Sequence, residues 1–363
     1  MCLYSRLHKN PKYLPNKKNG GIIPPLPMNK KTGRPDTRVL YVPIRCGKCM
    51  ECVKAKKSEY RVRLNEERKH NTLQPQFVTL TFSTEAITKL ATSFKSKGYN
   101  LDNDIATKAV RLFTELWRKH DKNKKTIKHW LVTEIGGGRY EHIHLHGILW
   151  TNEKERIEKH WKHGFVYVGE YVNGRTITYI TKYVTKQDPK HRHYTPIVLA
   201  SKGIGKGYTE SQQAKMHKFK EGETIEAYRT ETGHRLAMPT YFRNKLYSDE
   251  EKEKLWVEKL DKQERWVGKQ KIDVSKTEGD YIEAVRQMRV VNRELGFPDM
   301  KSAKRDKEQE EIRRQIIQET RGYDAHTAQK EFGLDRGIEP RGRLDRPLGV
   351  GRGGNEIQTG RKK

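Results

Sequence analysis

Residues 139–150, R-Y-E-H-I-H-L-H-G-I-L-W, decide the fold that this sequence predicts. Three histidines, His142, His144 and His146, occupy every second position, and apolar residues complete the run. Such alternation is typical of a β-strand, in which every second side chain points to the same face of the sheet. We therefore expect the three imidazoles on one face, within reach of a single metal ion.

A second strand-like segment, H-W-L-V-T-E-I at 129–135, lies directly upstream and is joined to the histidine run by three glycines at 136–138. Two strand-like runs with a short glycine connection predict a β-hairpin. Glu134 would then face the histidine strand, and two imidazoles with one carboxylate are a ligand set that divalent metals use. The alternative is that the histidines only form the polar face of an antiparallel sheet.

The order of the remaining elements predicts an α+β fold. Residues 77–82, F-V-T-L-T-F, predict the first strand, and apolar residues at helical spacing predict a helix over 103–120. After the hairpin we expect a helix, a strand and a helix over 153–161, 165–168 and 173–186. The first six elements match the β-α-β-β-α-β ferredoxin-like arrangement, an antiparallel sheet with helices on one face. The last helix can then bring its side chains beside the histidines.

The bulk composition restricts the partner classes. The 363 residues include 75 Lys plus Arg against 46 Asp plus Glu, which gives a formal net charge of +29. Such a surplus indicates a polyanionic partner, and nucleic acid is the first candidate. A membrane partner is not expected, because no apolar run approaches the ~20 residues of a transmembrane helix. The first residues also lack a secretory apolar core, so we expect a cytoplasmic protein.

The chain divides into four predicted segments. Residues 1–45 are rich in Pro, Lys, Asn and Gly and predict an extended basic arm. Residues 46–207 contain a cysteine-rich segment, a charged helix and the elements above. Residues 208–335 are strongly charged and predict a basic, mostly helical region. Residues 336–363, with eight Lys plus Arg and seven Gly, predict a disordered tail.

Four cysteines, Cys2, Cys46, Cys49 and Cys52, are candidate zinc ligands. Three of them form C-G-K-C-M-E-C at 46–52, and a reducing compartment disfavours disulfides between them. Thiolates at this spacing can bind one Zn²⁺, with Cys2 as the fourth ligand if the N-terminus folds back. The alternative is that the cysteines are small packing residues at the start of a helix.

A second constellation, T-Y-I-T-K-Y-V-T-K, occupies residues 178–186. On a helix Tyr179 and Tyr183 are neighbours on one face, and Lys182 and Lys186 form an adjoining pair. A tyrosine hydroxyl, with an ordinary pKa of about 10, becomes a nucleophile at neutral pH only with help from a cation or an activated electrophile. The alternative is that both tyrosines fill the buried face of the helix.

Together these stretches resemble the HUH endonucleases, whose three ordered motifs match F-V-T-L-T-F at 77–82, H-L-H-G-I-L-W at 144–150 and Y-I-T-K-Y-V-T-K at 179–186. The Y-x-x-K-Y form and the C-G-K-C-x-x-C segment are similar to the replication initiators of small single-stranded DNA phages of the microvirus group, particularly the gokushovirus-like ones. The resemblance spans roughly residues 46–207. It implies that the sheet is the palm of an HUH domain with a helix carrying the nucleophiles.

The resemblance further implies that His144, His146 and Glu134 bind Mg²⁺ or Mn²⁺. His142 and His144 also form a His-x-His pair, and a shift by two residues keeps the same strand face. We prefer His144 and His146 because the residues that follow them, Gly-Ile-Leu-Trp, resemble the continuation in the family.

The implied activity is nicking of a phage origin by Tyr179 or Tyr183, which leaves a 5′-phosphotyrosine link and a 3′-hydroxyl primer for rolling-circle replication, followed by rejoining. Lys182 would offset the charge of the phosphate. The implied partners are single-stranded and supercoiled origin DNA together with the helicase and DNA polymerase of the bacterial host, in whose cytoplasm the protein would act. The basic residues that we expect to contact DNA beside the motifs are Lys48, Arg139 and Lys186.

Two alternatives stay open at this point. The first is a plasmid- or transposon-type nickase of the same superfamily. The second is a non-catalytic, zinc-containing protein that binds nucleic acid.

Overall fold

The computed structural model describes residues 2–169, 171–186, 188–297 and 304–332. Its strands, in chain order, are β1 (Arg6–Lys9), β2 (Tyr41–Ile44), β3 (Pro75–Leu80), β4 (Lys128–Ile135), β5 (Ile143–Trp150), β6 (Val166–Val168), β7 (Val198–Ala200), β8 (Ala227–Arg229), β9 (Arg235–Ala237), β10 (Glu264–Val267) and β11 (Gln270–Asp273). Its helices are α1 (Met50–His70), α2 (Thr84–Ala91), α3 (Gly98–His120), α4 (Glu155–His160), α5 (Gly174–Ile180), α6 (Thr240–Leu246), α7 (Asp249–Asp261), α8 (Gly279–Glu294) and α9 (Lys304–Phe332).

The central sheet has five antiparallel strands in the order β6-β3-β5-β4-β7, which confirms the predicted α+β class. Strands β3, β4, β5 and β6, with α2, α3 and α4 between them, follow the expected β-α-β-β-α-β order. The histidine strand β5 is central and pairs with β3 on one side and with β4 on the other. In this register Glu134 lies opposite His144, and Thr79 lies opposite His146.

Helices cover both faces of the sheet, whereas the sequence predicted helices on one face only. Helices α2, α3 and α4 cover the face that contains Leu131 and Leu145. Helices α1 and α5 cover the opposite face, where Trp130 and Ile148 are buried. The second layer is needed because β5 is fully buried from Gly147 onward, so both of its faces need apolar cover there.

The tyrosine segment is not one continuous helix, as the sequence predicted. Helix α5 begins after Asn173, whose side chain accepts hydrogen bonds from the amides of the first turn, and it ends at Ile180. The chain continues as a 3₁₀ turn over Thr181–Val184. Tyr179 therefore lies in the last turn of the helix, and Tyr183 lies in the 3₁₀ turn.

The N-terminal segment is more structured than the extended arm that its composition predicted. Strands β1 and β2 pair in antiparallel register, and the side chains of Tyr13 and Val39 are buried. The Tyr13 hydroxyl donates a hydrogen bond of 2.7 Å to Glu253 of α7. Prolines and lysines carry no periodic signal, so these long-range contacts could not be inferred from the segment itself.

The C-terminal region contains two β-hairpins, β8–β9 and β10–β11, in addition to the predicted helices. Helix α9 packs against α2 and α3, and its Arg314 is fully buried beside Asp102. The predicted disordered tail, residues 336–363, lies outside the described residues. Among the helices that the structure describes, none combines the length and the apolar content needed to cross a bilayer.

Candidate active site

Glu134 and His146 meet at the open end of the β4–β5 hairpin. Even-numbered residues of both strands point to the face that α1 and α5 cover, and there the apolar positions of β5 give way to His146 and His144. Glu134 Oε2 lies 2.8 Å from His146 Nε2. The other carboxylate oxygen contacts the Lys186 ammonium. The hairpin register thus creates a carboxylate–imidazole pair, as the sequence predicted.

His146 is held from both sides. Its second ring nitrogen, Nδ1, lies 3.1 Å from the Thr79 hydroxyl on the neighbouring strand. A hydrogen bond to one ring nitrogen fixes the orientation and the tautomer of an imidazole, so Thr79 presents Nε2 to Glu134. The sequence analysis missed Thr79, although the alternating threonines of F-V-T-L-T-F were a signal that a polar residue shares this face.

His144 lies on the same face beside Gly136. A Cβ atom built on Gly136 would lie only 2.3 Å from His144 Nε2, so glycine is required for the ring to occupy this position. The other nitrogen, Nδ1, is buried and has no hydrogen-bond partner among the described residues. Burial, followed by repulsion from His146, lowers the pKa of His144 to about 4. The ring is therefore neutral at neutral pH, which is the form that binds metal ions.

These three side chains have the donor chemistry for a divalent cation. Burial opposes the ionisation of Glu134, but hydrogen bonds and charge from His146 and Lys186 outweigh it and lower its pKa. The ammonium of Lys186 shows that this carboxylate accepts a cationic partner. Within the described ranges, however, only the four cysteines bring their ligand atoms within 4.8 Å of one another, so His144, His146 and Glu134 do not form a closed set in this conformation.

His142 does not share this site. The strand begins one residue later, at Ile143, and His142 Nε2 lies 3.2 Å from the hydroxyl of Thr84 in α2. The contact with Glu134 is made by His146. The geometry therefore favours the His144–His146 pair over the His142–His144 pair.

Both tyrosines converge on the histidine strand. The Tyr183 ring stacks on the His146 ring, with 4.3 Å between centroids and 5° between planes. The hydroxyl groups of Tyr179 and Tyr183 lie 3.0 Å apart. The Lys182 ammonium lies 3.9 Å from the centroid of the Tyr179 ring. Two phenol groups and a cation thus lie beside the carboxylate–imidazole pair.

The two tyrosines differ in accessibility. Tyr179 is 42% exposed and Tyr183 is 9% exposed. Burial, with the hydrogen bond to Tyr179, raises the pKa of Tyr183 well above its ordinary value. Tyr183 is therefore a neutral phenol in this conformation, and a large substrate reaches Tyr179 first.

The three predicted DNA contacts occupy different surroundings. Lys186 is part of the site through Glu134. Arg139 is exposed in the β4–β5 connection, with its guanidinium 5.3 Å from the centroid of the Tyr140 ring. Lys48 is exposed in the turn between Cys46 and Cys49.

Residues 75–188 match a family model of replication-associated proteins, the ORF2 family. The matched segment begins with β3 and extends past the tyrosine segment, so it includes every side chain of the candidate site described above. The match supports a role in the initiation of replication. No curated protein and no solved structure matches the chain.

Proposed function

We propose that this protein initiates replication by cutting one DNA strand with a tyrosine and later rejoining it, as an HUH endonuclease of the microvirus type. The proposal depends chiefly on one observation, that the Tyr179 and Tyr183 hydroxyls lie 3.0 Å apart while the Tyr183 ring stacks on His146. The family match supports the role in replication, and the net charge of +29 supports a nucleic-acid substrate.

His144, His146 and Glu134 would hold the catalytic metal ion, Mg²⁺ or Mn²⁺. When bound, such an ion withdraws electron density from the oxygens of the scissile phosphate. The side chains themselves prepare this arrangement. Thr79 orients His146, burial keeps His144 neutral, and Lys186 compensates the Glu134 carboxylate in its absence.

The transfer step exchanges one phosphodiester for another. The tyrosine oxygen forms a bond to phosphorus while the bond from phosphorus to the 3′ oxygen breaks, and the phenol proton ends on that oxygen as a 3′-hydroxyl. The ammonium of Lys182, beside Tyr179, offsets charge on the phosphate. Tyr179 is exposed to an incoming strand, and its hydroxyl shares a hydrogen bond with that of Tyr183.

Two hydroxyls at one point suit a repeated cycle. After one round of synthesis, the second tyrosine would cut the regenerated origin. The released 3′-hydroxyl would attack the first phosphotyrosine, which frees that tyrosine and closes the circle. The substrates in this proposal are single-stranded and supercoiled origin DNA. A helicase and a DNA polymerase of the bacterial host would act with the protein in the host cytoplasm.

A covalent-adduct assay tests the proposal. The protein is incubated with Mn²⁺ and labelled single-stranded fragments that tile the DNA molecule encoding it, and the products are separated on a denaturing gel. We expect an adduct that requires the metal and that Glu134→Gln lowers by at least the ~10–100-fold that loss of an outer-shell partner costs. Glu155→Gln is the matched control, because Glu155 is exposed on α4. Tight binding to every fragment without an adduct would instead favour the non-catalytic, zinc-containing binding protein.

A further inference from the structure

Four sulfur atoms converge at the start of α1. The Sγ atoms of Cys2, Cys46, Cys49 and Cys52 all lie within 4.8 Å of one another, and those of Cys46 and Cys52 are 3.9 Å apart. Sulfurs about 2.3 Å from a tetrahedral zinc ion are about 3.8 Å apart, so this spacing fits one ion. The cysteines are unbridged.

The backbone around the sulfurs supports thiolates. The Cys46 amide donates a hydrogen bond to Cys2 Sγ at 3.2 Å, and the Cys49 amide donates one to Cys46 Sγ at 3.3 Å. Amide donors stabilise a negatively charged sulfur. Gly47 has a φ of +76°, so the C-G-K-C segment can turn back and bring Cys46 and Cys49 together.

From this geometry we propose that Cys2, Cys46, Cys49 and Cys52 bind one structural zinc ion. Packing alone gives four cysteines no reason to direct their sulfurs to one point. An iron–sulfur cluster also uses four thiolates, but its iron and sulfide atoms lie between the sulfurs and hold them farther apart than one ion does. This site is separate from the catalytic residues and goes beyond the proposed nickase activity.

The zinc ion would join three distant parts of the chain. Cys2 belongs to the N-terminal segment, and Cys49 and Cys52 belong to the beginning of α1. Helix α8 contributes contacts from the C-terminal region, because the Met50 amide donates a 2.8 Å hydrogen bond to Asn292. Arg289 of the same helix donates a 2.9 Å hydrogen bond to the carbonyl oxygen of Leu3.

The same site would support the tyrosine segment through α1. Cys49 precedes the first turn of α1 and provides no side-chain hydrogen bond to it, so the metal would anchor this helix end. Further along α1, Leu64 is fully buried and packs with Ile177 and Ile180 of α5. We therefore expect loss of the ion to loosen α1 first and the tyrosine segment as a consequence.

Metal analysis of the full-length protein, purified under reducing conditions without added DNA, tests this proposal. We expect an equimolar amount of zinc by mass spectrometry, and loss of that zinc in Cys49→Ser and Cys52→Ser. Met50→Leu is the matched control, because Met50 is a buried neighbour that supplies no thiolate. Replacement of zinc by Co²⁺ should give the absorption bands of a tetrahedral tetrathiolate site in the wild-type protein, a result that does not depend on how the variants fold.

Three outcomes would overturn the proposal. The first is a folded wild-type protein with four titratable thiols and no bound metal. The second is iron with acid-labile sulfide in place of zinc, which would indicate a cluster. The third is zinc that stays at full content in both cysteine variants.

Discussion

The hydroxyl oxygens of Tyr179 and Tyr183 lie 3.0 Å apart although α5 ends between the two residues, at Ile180. The Thr181 hydroxyl donates a hydrogen bond of 2.8 Å to the carbonyl oxygen of Ile177 and holds the junction between the α-helix and the 3₁₀ turn. The stack of Tyr183 on His146 then fixes the second ring against the sheet. Two candidate nucleophiles are thus positioned by different contacts but meet at one point.

Gly136→Ala should displace His144. The added Cβ would lie 2.3 Å from His144 Nε2 and 2.9 Å from the carbonyl oxygen of His142, too close for either to stay in place. We expect metal-dependent adduct formation to fall at least ~10-fold and the free energy of unfolding to fall by about 1–3 kcal/mol. Gly138→Ala is the control, because a Cβ on Gly138 meets nothing within 4 Å. An unchanged adduct yield in Gly136→Ala would show that His144 does not occupy this position during the reaction.

Thr79→Val should weaken metal binding while the fold is retained. Valine has nearly the same shape but cannot bond to His146 Nδ1, so the imidazole loses the partner that orients it. We expect the Mn²⁺ concentration for half-maximal adduct formation to rise by ~10–100-fold. Thr107→Val, an exposed change on α3, should leave that concentration unchanged. Identical metal titrations for Thr79→Val and the wild type would remove Thr79 from the site.

Arg314→Met should destabilise the protein through α9. The Arg314 side chain is fully buried and donates to both oxygens of Asp102, at 2.8 and 2.9 Å. We expect a loss of about 3 kcal/mol in denaturant unfolding, near the low end for breaking a buried pair, because Arg321 stays 3.7 Å from Asp102. The neighbouring Arg313 is 43% exposed, so Arg313→Met should cost only about 0–1 kcal/mol. Equal losses in the two variants would contradict a buried ion pair.

This helix also reaches the candidate site. Arg313 and Arg314 both contact Glu141, which precedes His142 and adopts a left-handed φ of +45°. A non-glycine residue in this conformation needs support from its surroundings. Helix α9 supplies it, so a helix of the C-terminal region holds the entry to the histidine strand.

Local pattern was enough to predict the centre of the fold. The period-two histidines of β5 and the glycines before them predicted the hairpin, and the hairpin predicted the approach of Glu134. The contact between Tyr183 and His146 needed in addition that α5 pack on the apolar end of β5, which Ile148 and Trp150 determine. These features depend on residues close together in the chain or on one strand.

The features that could not be predicted depend on distant segments. The cover of the second sheet face comes from α1, which precedes the first central strand, and the support of Glu141 comes from α9, more than 170 residues later in one contact. Neither segment has a pattern that names its partner. Tertiary packing also ended the tyrosine helix at Ile180, where periodicity alone predicted its continuation.

The most direct test of the central claim compares Tyr179→Phe, Tyr183→Phe and the double variant in the covalent-adduct assay, with Tyr171→Phe as an exposed control outside the site. We expect each single variant to retain an adduct but to lose circular product, and the double variant to lose both. The control should behave as the wild type. An adduct that persists in the double variant would contradict tyrosine attack at this site, and loss of the adduct in only one single variant would contradict the use of two nucleophiles.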